Sequence, residues 1–447
     1  MDTRIAGNVK ASELRKYIIA AVLFAVIPII PILVMPSPYA GIMVRVIGTI
    51  VFAIIVLTSL RSIISIILGS RNTPKQLKTK WYPTVSIIVP SYNEEKVLRR
   101  TIGSMLELDY PSEKIEMIYV YESHCTDKTE EIILESAKKD PRIKPMRRIG
   151  KIAGKAAAAN YGIQHATGEI IVSLDADHSL KKDALKRAVA WFRNPNVVCV
   201  KGRCRSINKD ASFIAKLAGV ERDVVERLSI YSNYMMHGFS FFGGGQAFFR
   251  KEIFGVLGQF DEETMTEDID YSVRLHLIGK EIVVDPRIES WEENPPRLTG
   301  WWLQRKRWSR GWIQSARIHI GSVLRSKNIG SFRKFDIIAN LTSSVLSFIS
   351  PIMIPLIFIS ILLFRSSFFP EYLGFSFWII VTSTPFIIGI TAWYLDIREG
   401  EKPRWTEVPY IILLLPYFIF HGLVAWSAFV DEFIFRKKSE YVKTARD

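Results

Sequence analysis

The sequence predicts an α/β domain set between membrane-spanning segments, and three observations lead there. Apolar and charged residues are sorted along the 447-residue chain: 49% are hydrophobic, 23% are charged, and the mean hydropathy is positive. Between about residues 84 and 297, short β-branched runs alternate with helical periodicity, the pattern of a mostly parallel sheet covered on both faces. Long apolar runs flank that region on both sides.

In chain order, residues 1–16 are polar and basic, 17–35 carry no charge, and 42–68 are apolar apart from Arg45 and Arg61. Each run is long enough to cross a bilayer. The first is too long for a cleaved signal peptide and lacks a small-residue cleavage site. Residues 1–80 are therefore expected to form an N-terminal transmembrane hairpin with spans about 17–35 and 42–68. Arg61 is expected to snorkel to the same side as Arg71, Lys75, Lys78 and Lys80, which puts the next domain, 81–298, on the cytoplasmic side.

Within that domain, strands are predicted over Val85–Val89, Ile115–Tyr121 and Glu169–Leu174, with helices over Glu94–Glu107, Thr126–Lys138 and Gly154–His165. Ligands of such sheets bind at the carboxyl ends of the strands. Residues 299–334 read as an interfacial amphipathic region. Its core, Gly300–Gln314, holds four Trp and four cations within fifteen residues, so Trp301, Trp302 and Trp312 are expected to lie in the cytoplasmic leaflet. Apolar segments at about 337–364, 372–395 and 408–430 then form a C-terminal membrane region, 335–435, followed by a basic tail, 436–447. Five crossings would leave that tail outside, while its charges favour the inside. One segment is then re-entrant, interfacial or broken at its prolines.

The net charge of +15 admits nucleic acid, an anionic membrane surface or a polyphosphate substrate. Nucleic acid is excluded, because the cations cluster beside apolar runs and no nucleic-acid-binding signature occurs. Cys125, Cys199 and Cys204 form no CxxC, which indicates a reducing compartment and neither a disulfide scaffold nor a zinc site.

Four clusters carry candidate chemistry. Pro90-Ser91-Tyr92-Asn93-Glu94 follows the first strand, and Asp175-Ala176-Asp177-His178 follows the strand ending at Leu174. Two carboxylates at i and i+2 repel each other unless a cation lies between them, and hard oxygen ligands select Mg²⁺ or Mn²⁺. An Asx-type turn is the bland alternative. Thr266-Glu267-Asp268 opens a helix, where acidic residues also simply complement the dipole. Gln304, Arg307 and Trp308 share one helical face.

In this order the clusters resemble the DxD, TED and QxxRW series of the membrane-integrated family 2 glycosyltransferases, the group containing cellulose, chitin and hyaluronan synthases. The resemblance covers about residues 84–315. It implies a GT-A-type, nucleotide-sugar-binding, Rossmann-like cytoplasmic domain inserted between transmembrane helices. It further implies inverting, metal-dependent transfer of a sugar to an acceptor hydroxyl, with processive synthesis of a β-linked polysaccharide. A single-addition transferase acting on a lipid-linked acceptor, and a degenerate transferase serving as a membrane scaffold, are the alternatives.

Carried over by residue, the resemblance makes Asp268 the general base. Asp177 becomes the ligand of Mg²⁺ or Mn²⁺, with Asp175 on the metal or the ribose. Tyr92, Glu94, Glu122 and Lys155 become donor-binding, and Glu267, Gln304, Arg307 and Trp308 face the acceptor and diphosphate. Phe241–Gln246, with three glycines, becomes the acceptor loop. His178 is read as a supporting or exposed residue, and Asp127 as a helix cap. The implied partners are a nucleotide-sugar (a UDP-sugar ahead of a GDP-sugar), a glycan or lipid-linked acceptor, and membrane lipids. One departure stands out: Glu122-Ser123 occupies the place of the family's usual aspartate pair, which puts the base contact in question.

Overall fold

A computed structural model describes residues 37–71, 80–150, 154–347, 371–402 and 404–437. The expected first span and most of the basic tail lie outside them. The alternating region folds around one eight-stranded sheet in the order β3-β2-β1-β4-β7-β6-β8-β5. Its strands are β1 (Val85–Ser91), β2 (Ile115–Glu122), β3 (Ile143–Arg148), β4 (Ile170–Leu174), β5 (Ser179–Leu180), β6 (Cys199–Ser206), β7 (Gln246–Arg250) and β8 (Ile282–Glu292).

The first half matches the expected parallel arrangement, with β1 between β2 and β4. β1, β2 and β4 are largely apolar and buried along almost their whole length because both faces are covered. Ile87, Met117 and Val172 pack beneath α2 (Glu95–Leu106), α3 (Thr129–Lys139) and α5 (Ala184–Trp191). Ile88, Ile118 and Ile171 pack beneath α4 (Lys155–His165) and α7 (Glu267–Leu277). Alanines Ala156, Ala158 and Ala159 let α4 lie close on the sheet.

The second half departs from expectation. β7 runs antiparallel between β4 and β6, so the sheet is mixed. Its register sets Leu174 opposite Gln246. The start of β7 therefore adjoins the end of β4, and the glycine loop preceding β7 falls beside the acidic loop following β4. A parallel β7 would have delivered that loop to the other edge.

Around the sheet lie α1 (Ser37–Gly69), α6 (Phe213–Val224, continued through a π turn to Ile230), α8 (Leu298–Arg325), α9 (Ser331–Ser347), α10 (Glu371–Arg398) and α11 (Leu414–Phe429, also continued by a π turn). Helices thus occupy the expected second and fourth apolar segments. Among the described residues, however, one stretch, Leu414–Ile434, is long and apolar enough to cross a membrane. Arg61 pairs with the buried Asp336 of α9 and donates to Asn233 Oδ1 at 2.7 Å.

α8 also differs from an interfacial helix. Trp301 is fully buried, stacked on Phe420 at 5.5 Å between centroids, and its indole N–H donates to Tyr417 Oη at 2.8 Å. Trp302 packs on Phe420, and Trp312 lies edge-on to Phe239 and Phe241. Protein side chains bury Trp301 and Trp302, while Trp312 is half-buried. The α8 cations are likewise internal: Lys306 pairs with Asp431 at 2.5 Å and Arg310 with Glu432 at 3.0 Å. Both acids directly follow the apolar run of α11, so folding α11 back along α8 neutralises cations that the sequence pattern assigns to headgroups.

Gly311 lets α8 approach α7 closely, because a Cβ there would overlap the side chain of Thr266. Gly311→Ala is expected to destabilise the protein by about 1–3 kcal/mol through overpacking. Gly103→Ala, in open space on the exposed face of α2, is expected to stabilise it by about 0.4–1 kcal/mol. Thermal unfolding of the two variants checks the contrast.

Candidate active site

Three parallel strands end side by side, and each releases a candidate residue. β1 leads into Tyr92 and Glu94 through Asn93, whose left-handed φ of 55° turns the chain sharply. β2 ends on Glu122, and β4 leads into Asp175 and Asp177. The amino end of α7 adds Glu267 and Asp268, the start of α4 adds Lys155, and α8 adds Gln304, Arg307 and Trp308. All eleven line one cavity of about 440 Å³. Of the expected acceptor loop, Phe241, Gly243 and Gly244 line it, while Phe242, Gly245 and Gln246 do not.

Lys155 ties the acidic groups together. Its Nζ lies 2.7 Å from Asp175 Oδ1 and 3.2 Å from Glu267 Oε1, and donates to Gly244 O at 2.7 Å. Burial alone would lower the pKa of this ammonium, but the two carboxylates outweigh burial and raise it well above the ordinary lysine range. Gly244 has φ 69°, and its own Cα position is close enough that a Cβ would stand 3.2 Å from Asp268 Oδ2. The glycine loop therefore approaches the acids as only glycine can.

Asp268 keeps part of its surface open to the cavity, but the cavity walls remove most of its water. That desolvation, reinforced by Glu267 and opposed by Lys155, pushes its pKa up to about 7. At neutral pH it is poised to take a proton.

Asp175, Asp177 and His178 each offer a ligand atom within 4.8 Å of the others. Asp175 and Asp177 supply the hard carboxylate oxygens that suit Mg²⁺ or Mn²⁺, so these two residues fit the expected ion. His178 is not exposed. It is fully buried, with Nδ1 3.3 Å from Asp177 Oδ1 and Nε2 2.9 Å from Glu292 Oε2. Glu292 is in turn paired with Arg222.

At the other acidic loop, Glu122 Oε1 accepts from Arg148 Nη1 at 2.7 Å, while its Oε2 is buried without a partner. An orphaned buried acceptor in a cavity wall is a place for a ligand donor. Tyr92 lies 4.9 Å from His124, ring to ring. Asp127 lines nothing. It accepts from Thr129 N and Glu95 N, both at 3.0 Å, capping two helix starts at once.

Sequence reasoning missed Glu221, Arg222 and Glu292, which also line the cavity. None belongs to a local motif: α6 and the end of β8 meet the site only through tertiary packing.

The fold is a mixed α/β, GT-A-like glycosyltransferase fold. Residues 86–258 match the Glycosyl transferase family 2 profile. The chain is 26% identical over 379 residues to a beta-monoglucosyldiacylglycerol synthase of Synechocystis, covering 81% of this chain and 75% of that protein. It is 30% identical over 260 residues to a poly-beta-1,6-N-acetyl-D-glucosamine synthase of Staphylococcus epidermidis, covering 58% of this chain and 62% of that protein. Among solved structures, the mannosyltransferase PcManGT of Pyrobaculum calidifontis, in complex with GDP-Man and Mn²⁺, shares the fold. Its TM-score is 0.56 at 19% identity, over 88% of this chain and 99% of that one.

The position of Asp268 sets a pH dependence. A base with a pKa of about 7 is charged above that value and neutral below it. The rate of transfer per active enzyme is therefore expected to rise with pH through about 7 rather than about 4. A pH–rate profile checks this, and an acid limb near 4 would contradict it.

Proposed function

We propose that the protein is an inverting, metal-dependent glycosyltransferase. It moves a sugar from a nucleotide-sugar, a UDP-sugar ahead of a GDP-sugar, to an acceptor hydroxyl at a membrane. The carrying observation is that Asp268, the Asp175–Asp177 pair, Lys155 and the Gln304–Arg307–Trp308 face, far apart in sequence, line one cavity. Asp268 accepts the proton of the acceptor hydroxyl as its oxygen attacks the anomeric carbon. The bond from that carbon to the diphosphate oxygen breaks, and a single displacement inverts the centre. Asp175 and Asp177 would hold the divalent ion, which neutralises charge on the departing diphosphate. Lys155 and Arg307 add fixed positive charge to the same region. Glu122, with its free oxygen, and Tyr92 receive the nucleoside.

The reaction proposed first is repeated addition, building a β-linked polysaccharide, with Trp308 stacked on the terminal acceptor sugar and the product passed across the membrane. The protein is then a multi-pass protein of the cell membrane, with its catalytic domain cytoplasmic. A second reading keeps the chemistry but adds one sugar to a lipid-borne acceptor. It is favoured by the long match to a beta-monoglucosyldiacylglycerol synthase.

The test incubates purified protein in membranes with a panel of UDP- and GDP-sugars and reads both nucleotide release and product length. Chelation by EDTA is expected to abolish release and Mn²⁺ or Mg²⁺ to restore it. Asp268→Asn is expected to lose about 10²–10⁴-fold in transfer. Equal release by wild type and Asp268→Asn would remove the assigned base and favour a scaffold. A ladder of long products supports repeated addition, and one discrete product supports the lipid reading.

A further inference from the structure

Arg305 lies between Gln304 and Trp308 in sequence, yet its side chain is 2% exposed and engages both neighbours. Its Nη1 donates to Gln304 Oε1 at 2.7 Å, and its guanidinium lies 4.2 Å from the centroid of the Trp308 ring. Its Nη2 donates to Glu221 Oε2 at 2.6 Å. The same carboxylate oxygen accepts from Tyr417 Oη at 2.6 Å, and Tyr417 in turn accepts from the indole N–H of Trp301. A planar guanidinium gripped on several sides has a fixed plane, and a ring stacked on it inherits that orientation.

Tyr417 belongs to α11, which contains the stretch long and apolar enough to cross a membrane, and is not among the residues lining the cavity. The chain of contacts thus runs from α11 through Glu221 and Arg305 to the two side chains assigned to the acceptor. We propose that Tyr417 and Glu221 are positioning residues that act through Arg305 to set Gln304 and Trp308 for the acceptor sugar. α11 then governs acceptor affinity without touching the substrate. This rests on the acceptor-facing role of Trp308 given above.

Tyr417→Phe keeps the ring and removes only the hydroxyl, so the helix packing survives. Full-length protein labelled with 5-fluorotryptophan, in detergent micelles, gives a ¹⁹F resonance for Trp308, identified by its loss in Trp308→Phe. Tyr417→Phe and Glu221→Gln are expected to shift that resonance, and Tyr410→Phe, at a ring that packs on Phe213 and Lys216 outside the network, is not. With whichever panel sugar turns over fastest, Tyr417→Phe is expected to raise the acceptor KM about three- to tenfold, the worth of one hydrogen bond. Donor KM and donor hydrolysis stay within about twofold in the same variant, a ratio of under about 0.5 kcal/mol.

In a Trp308→Ala background, Tyr417→Phe should raise the acceptor KM by clearly less than it does in the wild-type background, because the part of its effect that passes through that ring is gone. An unmoved Trp308 resonance in both variants overturns the proposal. So does an acceptor KM that rises in Trp308→Ala but not in Tyr417→Phe, or equal effects of Tyr417→Phe in both backgrounds. An acceptor KM untouched by Trp308→Ala is a different result: it removes the acceptor role of Trp308 itself.

Discussion

The Lys155 ammonium is the contact on which the site depends. Asp175 arrives from β4 and Glu267 from α7, and both would repel each other and Asp268 inside a desolvated cavity. A buried cation 2.7 Å from one and 3.2 Å from the other lets them share that space. Its third bond, to Gly244 O, draws the glycine loop onto the same point. Removing one partner of such a cluster leaves uncompensated buried charge, which costs far more than the intact pairs contribute. The arrangement leaves Asp268 with an intermediate balance: desolvation, reinforced by Glu267, holds its proton up to about pH 7, and Lys155 pulls the other way.

Two structural choices feed that centre. The antiparallel β7 brings residues 241–245 beside the loop after β4, with Asp175 N donating to Gly245 O at 3.3 Å. The packing of α8 against α7, permitted at Gly311, carries Gln304, Arg307 and Trp308 into the wall beside the TED turn. α8 is fixed from behind by α11, through Trp301, Lys306 and Arg310. The site is therefore assembled at a junction between the sheet domain and the apolar helices.

The most legible parts of the sequence were those with strong local patterns. The first strands and helices fall within a few residues of their expected bounds, because β-branched runs and helical periodicity record burial directly. β6 to β8 were not anticipated. Their sequences, such as CVKGRCRS in β6, place Lys201 and Arg203 in a strand that reads as polar. Both are 1% exposed and paired, Lys201 with Glu226 and Arg203 with Asp396. Buried charges satisfied by distant partners erase the apolar signal on which strand recognition relies. The Trp-rich stretch failed in the opposite way. Trp beside Arg suits a bilayer boundary and a protein core lined with acids equally well, and local pattern does not separate them.

By itself, then, the sequence determined the α/β class, the parallel strands β1, β2 and β4 and eleven of the residues that line the cavity. Those follow from short-range periodicity and from motif residues whose chemistry is set by residue type. The tertiary structure alone decided the direction of β7, the burial of α8, the pairing of Arg61 with Asp336 and the burial of His178 between Asp177 and Glu292. Each of these depends on which distant group supplies a partner for a buried charge or ring. Such long-range pairings leave no period in the chain, and only folding brings them together.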